Sequence, residues 1–364
     1  MNKYQICEKN IYFKKHPGVL SEQFHAGGKA PSDVAILAEK SGYKPIYIRK
    51  ICGKSLLHRI VRKCFNLDWL WLYLRVKKNS VILIQVPFRW GNLKIRNFFI
   101  KHLRSRKNVT IISFMHDIEL LRRGLYQDEE AVSREEKAFN LSLEISDCII
   151  THNSKMKAFL KSSGYEESKI IELNIFDYLT SQIAPVKAFE KKLVFAGNLC
   201  HQKSAFLAEL GKLELDFDLY GINFDEKENH KRNINYCGSF LAEELPSHLN
   251  KGFGLIWDGE SIETCSGSLG EYLRWNNPHK LSLYLAAGLP VFIWEEAAEA
   301  GFVKENNLGF LIKSLYDIKG IFDSLTEEDY RELVKNVSNV SEKIRNGYFT
   351  KRALAAAEKL LTTI

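Results

Sequence analysis

Short apolar runs rich in β-branched and aromatic residues alternate with helical periodicity along this chain, and that alternation restricts its fold more than any other feature. Strands are predicted over Pro45–Arg49, Ser80–Phe88, Val109–His116, Cys148–Asn153 and Lys169–Phe176. Helical patterns lie between them, including Asp33–Lys40 and a helix predicted to start at Ser133, where Ser133-x-x-Glu136 matches a capping box. Such alternation builds parallel βαβ units. After a less patterned stretch, Asp177–Glu190, the pattern restarts with strands over Lys192–Gly197, Phe217–Gly221, Ile234–Cys237, Gly254–Trp257, Leu289–Trp294 and Gly309–Ile312. From Thr326 the chain reads as helix, with Thr326-x-x-Asp329 as its capping signal, a break at Asn346-Gly347 and a last helix over Lys351–Leu361. The expected class is α/β with two Rossmann-like domains facing across a cleft: residues 1–176, a linker at 177–190, and residues 191–347.

The 364 residues exceed what one core usually holds, in keeping with two domains. With 45% hydrophobic and 26% charged residues, disorder, collagen and coiled coil are excluded as the main account. No apolar run reaches the roughly 18 residues of a membrane span, and Met1-Asn2-Lys3-Tyr4-Gln5 lacks a signal-peptide core, so a cytoplasmic protein is expected. Seven widely spaced cysteines without a C-x-x-C pair argue against a disulfide framework or zinc cluster. Charge is uneven: residues 1–190 hold 32 Lys and Arg against 19 Asp and Glu, and the remainder 20 against 25. Between Lys44 and Lys107 there are 17 basic residues and one acid, Asp68, which favours anionic partners.

Ligands of open parallel sheets bind at the carboxyl ends of the strands, so phosphate-holding loops are sought there. In Phe195-Ala-Gly197-Asn198-Leu-Cys-His201-Gln-Lys203-Ser204 a strand ends at Gly-Asn, so loop amides, Asn198 and Lys203 could meet an anion; an ordinary βα turn is the alternative. In Trp275 to Phe292, Asn277 suits a helix cap and Pro278 the first helical position, which sets His279, Lys280 and Ser282 beside free amides and a positive dipole end. Trp257–Ser268 offers Asp258, Glu263, Thr264, Ser266 and Gly267 for ribose, sugar hydroxyls or a diphosphate. Tyr220, near the end of its predicted strand, joins this substrate-binding set.

The second of these segments resembles the donor-binding helix of GT-B glycosyltransferases, roughly N-x-P-x-K-x-x-x-Y-x-A-x-G-x-P-V. The chain as a whole resembles a bacterial family containing β-1,6-galactofuranosyltransferases of surface-polysaccharide synthesis, itself similar to the glucosyltransferase that extends N-acetylglucosamine on serine-rich adhesins. The matching segments are Met115–Arg122, Ile150–Asn153, Ile175–Leu179, Phe195–Leu199, Phe253–Gly267, Tyr272 and Asn276–Leu285. The resemblance implies the GT-B fold, with a final helix at about 348–364 packing back on the first domain. It also implies a Gly27-Gly28-Lys29 loop closing over the diphosphate, and inverting transfer from a UDP-hexose without a metal or cofactor.

Transfer needs a base for the acceptor hydroxyl. Asp117, after the strand Val109–Met115, is the first candidate and His116 the second; a helix cap is the alternative role for Asp117. Asp216-Phe-Asp218 lies at the strand end away from the cleft and is not expected to bind metal. The expected acceptor is a glycan or lipid-linked oligosaccharide. The basic block, with Trp69, Trp71 and Tyr73, suits contact with anionic membrane; the alternative places Trp69, Leu70 and Leu72–Leu74 in the core. Galactofuranose leads as donor sugar and glucose follows. A nucleotide-sugar epimerase is a further alternative, nucleic-acid binding lacks any motif, and homo-oligomer formation is left open.

Overall fold

The computed structural model describes residues 1–12, 28–52, 67–87, 93–122, 129–184, 188–225 and 232–363. Two six-stranded sheets, parallel throughout, each covered by helices, form two Rossmann-like domains. The first sheet has the order β2-β1-β3-β4-β5-β6, from β1 (Asn2–Tyr12), β2 (Lys44–Cys52), β3 (Ser80–Val86), β4 (Thr110–Met115), β5 (Cys148–Thr151) and β6 (Ile170–Glu172). The second has the order β12-β11-β10-β7-β8-β9, from β7 (Ala188–Asn198), β8 (Asp216–Ile222), β9 (Ile234–Tyr236), β10 (Lys251–Ile256), β11 (Val291–Trp294) and β12 (Gly309–Ile312). Strands β5 and β11 are buried at every position, as parallel strands covered on both faces must be.

Strand order reverses between β1 and β3 in the first sheet, and between β7 and β10 in the second. These reversals open crevices at the carboxyl ends of the strands. β1 departs from the sequence expectation, which held no strand before residue 45. Its Lys3, Gln5, Glu8 and Lys9 hide the pattern, yet Tyr4 and Ile6 are buried, and buried Gln5 donates to the Ala35 carbonyl at 2.9 Å.

The helices used below are α1 (Lys29–Lys40), α2 (Leu67–Arg75), α3 (Leu93–Lys107), α4 (Glu129–Ile145), α5 (Gly267–Tyr272), α6 (His279–Ala287), α7 (Glu327–Arg345) and α8 (Tyr348–Thr363). Helix α4 begins ahead of Ser133, so Ser133-x-x-Glu136 lies inside it and does not start it. At α7 the expected capping box forms, with Thr326 and Asp329 exchanging bonds.

α8 returns to the first sheet. Buried Asp177 accepts the amides of Phe349 (3.2 Å) and Thr350 (2.6 Å), satisfying free donors of the helix start, and Lys3 pairs with Glu358 at 2.8 Å. No helix among the described residues is long and apolar enough to cross a membrane.

Candidate active site

Both crevices open onto one cavity of about 370 Å³, a size that suits a small polar ligand. Of the residues singled out in the sequence, His116, Asp117, Asn198, Lys203, Tyr220, Asp258, Asn277, His279 and Lys280 line it. Gly28, Lys29, Glu263, Thr264, Ser266, Gly267 and Ser282 do not, and Gly27 lies outside the described residues.

The second-domain wall is built around α6. Tyr284 packs across Gly254 of β10, where a β-carbon would sit 2.3 Å from its ring, and its hydroxyl accepts the Ala196 amide at 2.7 Å. The helix is thereby fixed against the reversal point of the sheet. Pro278 is the N-cap and offers no side-chain acceptor; the Leu281 amide donates to its carbonyl at 2.9 Å, while His279 and Lys280, which open this nine-residue helix, line the cavity without a capping side chain. Lys280 extends from that turn, with its ammonium 2.5 Å from Asp258 Oδ1, 3.2 Å from the Trp257 carbonyl and 4.7 Å over the Phe195 ring. Gly221 is needed beside this wall because a β-carbon there would come 1.8 Å from the Gly197 carbonyl oxygen.

The loop after β7 differs from expectation. Asn198 Oδ1 accepts from the Cys200 amide (3.1 Å) and Asn223 (2.9 Å), and the amides of Lys203 and Ser204 both donate to the Cys200 carbonyl at 3.0 Å. Those donors are spent inside the turn, so Asn198 shapes the loop. The Lys203 ammonium has no ion-pair partner among the described residues, which leaves it available to an anion in the cavity.

Asn277 is not the cap. It is buried before Pro278 and stitches the domains together: its backbone amide donates to His152 Nδ1 (3.0 Å), its side-chain NH₂ donates to the carbonyls of His152 (3.2 Å) and Asn174 (2.7 Å), and its Oδ1 accepts from Asn153 (2.6 Å). Lys29 is likewise committed elsewhere, buried between Asp33 and the Leu179 carbonyl, both at 2.7 Å. Gly28 caps α1 in ordinary right-handed geometry with open space around it. Glu263 and Thr264 are exposed, Ser266 and Gly267 begin the short helix α5, and the Ser282 hydroxyl is buried inside α6. Asp216 and Asp218 open β8 at the far end of the sheet, where Asp218 bonds Lys192 (3.3 Å) and Asn235 (2.9 Å).

The first-domain wall is the end of β4. Asp117 Oδ2 meets Arg122 at 3.2 Å, and its Oδ1 accepts from the hydroxyl of Tyr272, across the cleft on α5, also at 3.2 Å. That hydroxyl in turn accepts the Ile118 amide at 3.1 Å. The carboxylate is therefore held by groups from both domains. Arg122, Tyr272, Phe240 and Ser239 also line the cavity and escaped the site prediction; Arg122 and Tyr272 stand within the matching segments, a signal that could have found them.

Three imidazoles cluster behind Asp117. Gln85 Nε2 donates to the Pro31 carbonyl (3.1 Å), which turns Gln85 Oε1 toward His116 Nε2 at 2.6 Å. The proton of His116 is thus on Nε2, and Nδ1 is the free acceptor. Burial, then the neighbouring His152 and His279, depress His116 to about 3; burial chiefly depresses His152 and His279 to about 4. A ring so hard to protonate is a weak base, which favours Asp117 over His116 for that role.

Below pH 6.5 the unfolded chain takes up protons that these rings refuse. Their contribution to stability is complete above that pH and is lost as pH falls toward 4. Buried Asp177, raised to about 6, and Glu299, also raised by burial, oppose that slope. The direct check is histidine NMR: ring resonances of His116, His152 and His279 are expected to stay fixed from pH 7.5 to about 5.5. Movement of all three near pH 6.5 would refute the neutral cluster.

Comparison with known proteins places this geometry. Models of the glucosyltransferase 3-like N-terminal and C-terminal domains match residues 18–175 and 193–357. Over 336 residues the chain is 35% identical to the Escherichia coli K12 beta-1,6-galactofuranosyltransferase WbbI, covering 90% of this chain and 93% of that protein. The chain belongs to the glucosyltransferase 3-like family. Glucosyltransferase 3 of Streptococcus gordonii is 28% identical over 76% of this chain and 79% of its own. Among solved structures, the apo lipopolysaccharide outer core galactosyltransferase WaaB aligns with a TM-score of 0.53 at 13% identity, covering 98% of this chain and 99% of that one. A UDP-GlcNAc 2-epimerase from Neisseria meningitidis aligns at 0.50 and 11%, covering 99% and 100%. Those two likenesses concern the fold alone. This member of the glucosyltransferase 3-like family is a glycosyltransferase of the GT-B type.

Proposed function

We propose that the protein transfers galactofuranose from UDP-galactofuranose to a sugar hydroxyl of a surface-polysaccharide precursor, with inversion and without a metal. The observation that carries the donor choice is the 35% identity to a galactofuranosyltransferase along nearly the whole chain. The diphosphate sits at the start of α6, between the first-turn amides, Lys280 and Lys203, so that developing charge on the leaving UDP is met by fixed dipoles and ammonium groups. Asp117 accepts the proton of the acceptor hydroxyl as that oxygen attacks the anomeric carbon, and the bond to UDP breaks in the same displacement. Tyr272 and Arg122 set the angle of the carboxylate.

A donor screen tests this reading. UDP-galactofuranose, UDP-galactopyranose and UDP-glucose are offered with an alkyl glucoside acceptor, and transfer from the furanose donor is expected to dominate. Use of UDP-glucose in its place would favour the second reading, glucosyl transfer to an N-acetylglucosamine-bearing protein or glycan, which the glucosyltransferase 3 relatives support. A new UDP-sugar formed without any acceptor would indicate an epimerase.

A further inference from the structure

Helix α2 is apolar on two opposite faces. Trp69 and Leu72 point inward at 1% and 0% exposure, while Leu67, Leu70, Trp71 and Leu74 stand outward at 63%, 43%, 49% and 68%. The core alternative for this segment therefore holds for Trp69 and Leu72, with Tyr73 half-buried, and fails for Leu70 and Leu74. The outward four follow i, i+3, i+4, i+7 spacing, the signature of a face meant to be covered. Neighbouring α3 adds Phe98, 55% exposed.

The helix cannot roll to hide that stripe, because buried Asp68 is clamped by the Arg49 amide at 2.9 Å and its guanidinium at 2.5 Å. That clamp also removes the one acid of the block from the surface. The rim is cationic: Arg75 lies 4.7 Å over the Trp71 ring, and Lys77, Lys78 and Arg106 are exposed. Lys101 is paired with Glu144 at 3.1 Å and does not count toward the rim.

We propose that this face docks on an anionic lipid surface, with Leu67, Leu70, Trp71 and Leu74 at headgroup depth and the cations on lipid phosphates. A tryptophan and leucines ringed by lysine and arginine match the chemistry of that interface, where ring edges are wet and cations meet negative charge. A second copy of the chain fits poorly, since a twofold contact would press two cationic rims together. Nucleic acid offers no apolar counterpart to the central stripe. The inference is independent of the donor sugar.

Vesicle flotation of the full chain tests it. The protein is expected to float with phosphatidylcholine vesicles containing phosphatidylglycerol, and far less with phosphatidylcholine alone or in high salt, which screens the charge. The double variant Leu70→Ser, Trp71→Ser should partition at least about tenfold less, because two large side chains no longer leave water. Both positions are exposed and far in sequence from the cavity lining, so the melting curve and transfer to a short soluble acceptor should match wild type. Wild-type protein that stays at the bottom with anionic vesicles, or a double variant that floats equally well, would overturn the proposal. So would a sedimenting dimer that the same substitutions dissociate, which would assign the face to a second copy. None of these results bears on transfer to the soluble acceptor, which separates this test from that of the transferase reading.

Discussion

Asp117→Asn is expected to lower transfer by about 10²–10⁴-fold, the usual worth of a positioned base, while UDP affinity stays near wild type. The substitution is informative because it is nearly isosteric. An amide oxygen in place of Oδ1 can still accept from Tyr272, at 3.2 Å in the native protein, which keeps the bond across the cleft, while the amide nitrogen in place of Oδ2 gives up the Arg122 contact. What disappears is the ability to take a proton. The fall should therefore appear in kcat, with calorimetric UDP binding as the control for folding and donor access. An asparagine variant with wild-type turnover would exclude Asp117 as base, and His116, depressed to about 3 in the native protein, would not be a ready substitute.

Lys280→Ala should weaken UDP binding by about 100-fold, at the upper end of what one charge-assisted contact supplies. The large value follows from the pairing with Asp258 at 2.5 Å. Removing the lysine takes one cation from the diphosphate and also leaves a carboxylate uncompensated beside two phosphates. Restoring neutrality with Asp258→Asn in the same chain should recover part of the loss, so the two substitutions will not be additive. Calorimetry showing unchanged affinity in the single variant would move the diphosphate away from α6.

The alternation of strands and helices was readable because parallel strands covered on both faces must be nearly continuous apolar runs, as in Cys148–Thr151 and Val291–Trp294. β1 was hidden for the opposite reason. A buried amide such as Gln5, satisfied by a helix carbonyl, looks like a surface residue until its partner is known. Lys280 was legible because a helix start carries a local signature. Asn277 was misassigned by the same signature: its side chain does suit a cap, but bonds to His152, Asn153 and Asn174 hold it instead. Lys29 was likewise claimed by Asp33 and a linker carbonyl more than a hundred residues away. Pairings at such separation leave no trace in spacing, and that is why Tyr272 could not be placed against Asp117 from sequence alone.

The return of α8 to the first sheet sets an order of events during synthesis. Lys3 finds its carboxylate on residue 358, and the start of α8 is received by Asp177. Domains generally form one after another as the ribosome proceeds. Here the amino-terminal half emerges first but stays without one of its flanking helices until residues 348–363 have been made, so its folding is completed only after the whole second sheet has been synthesised.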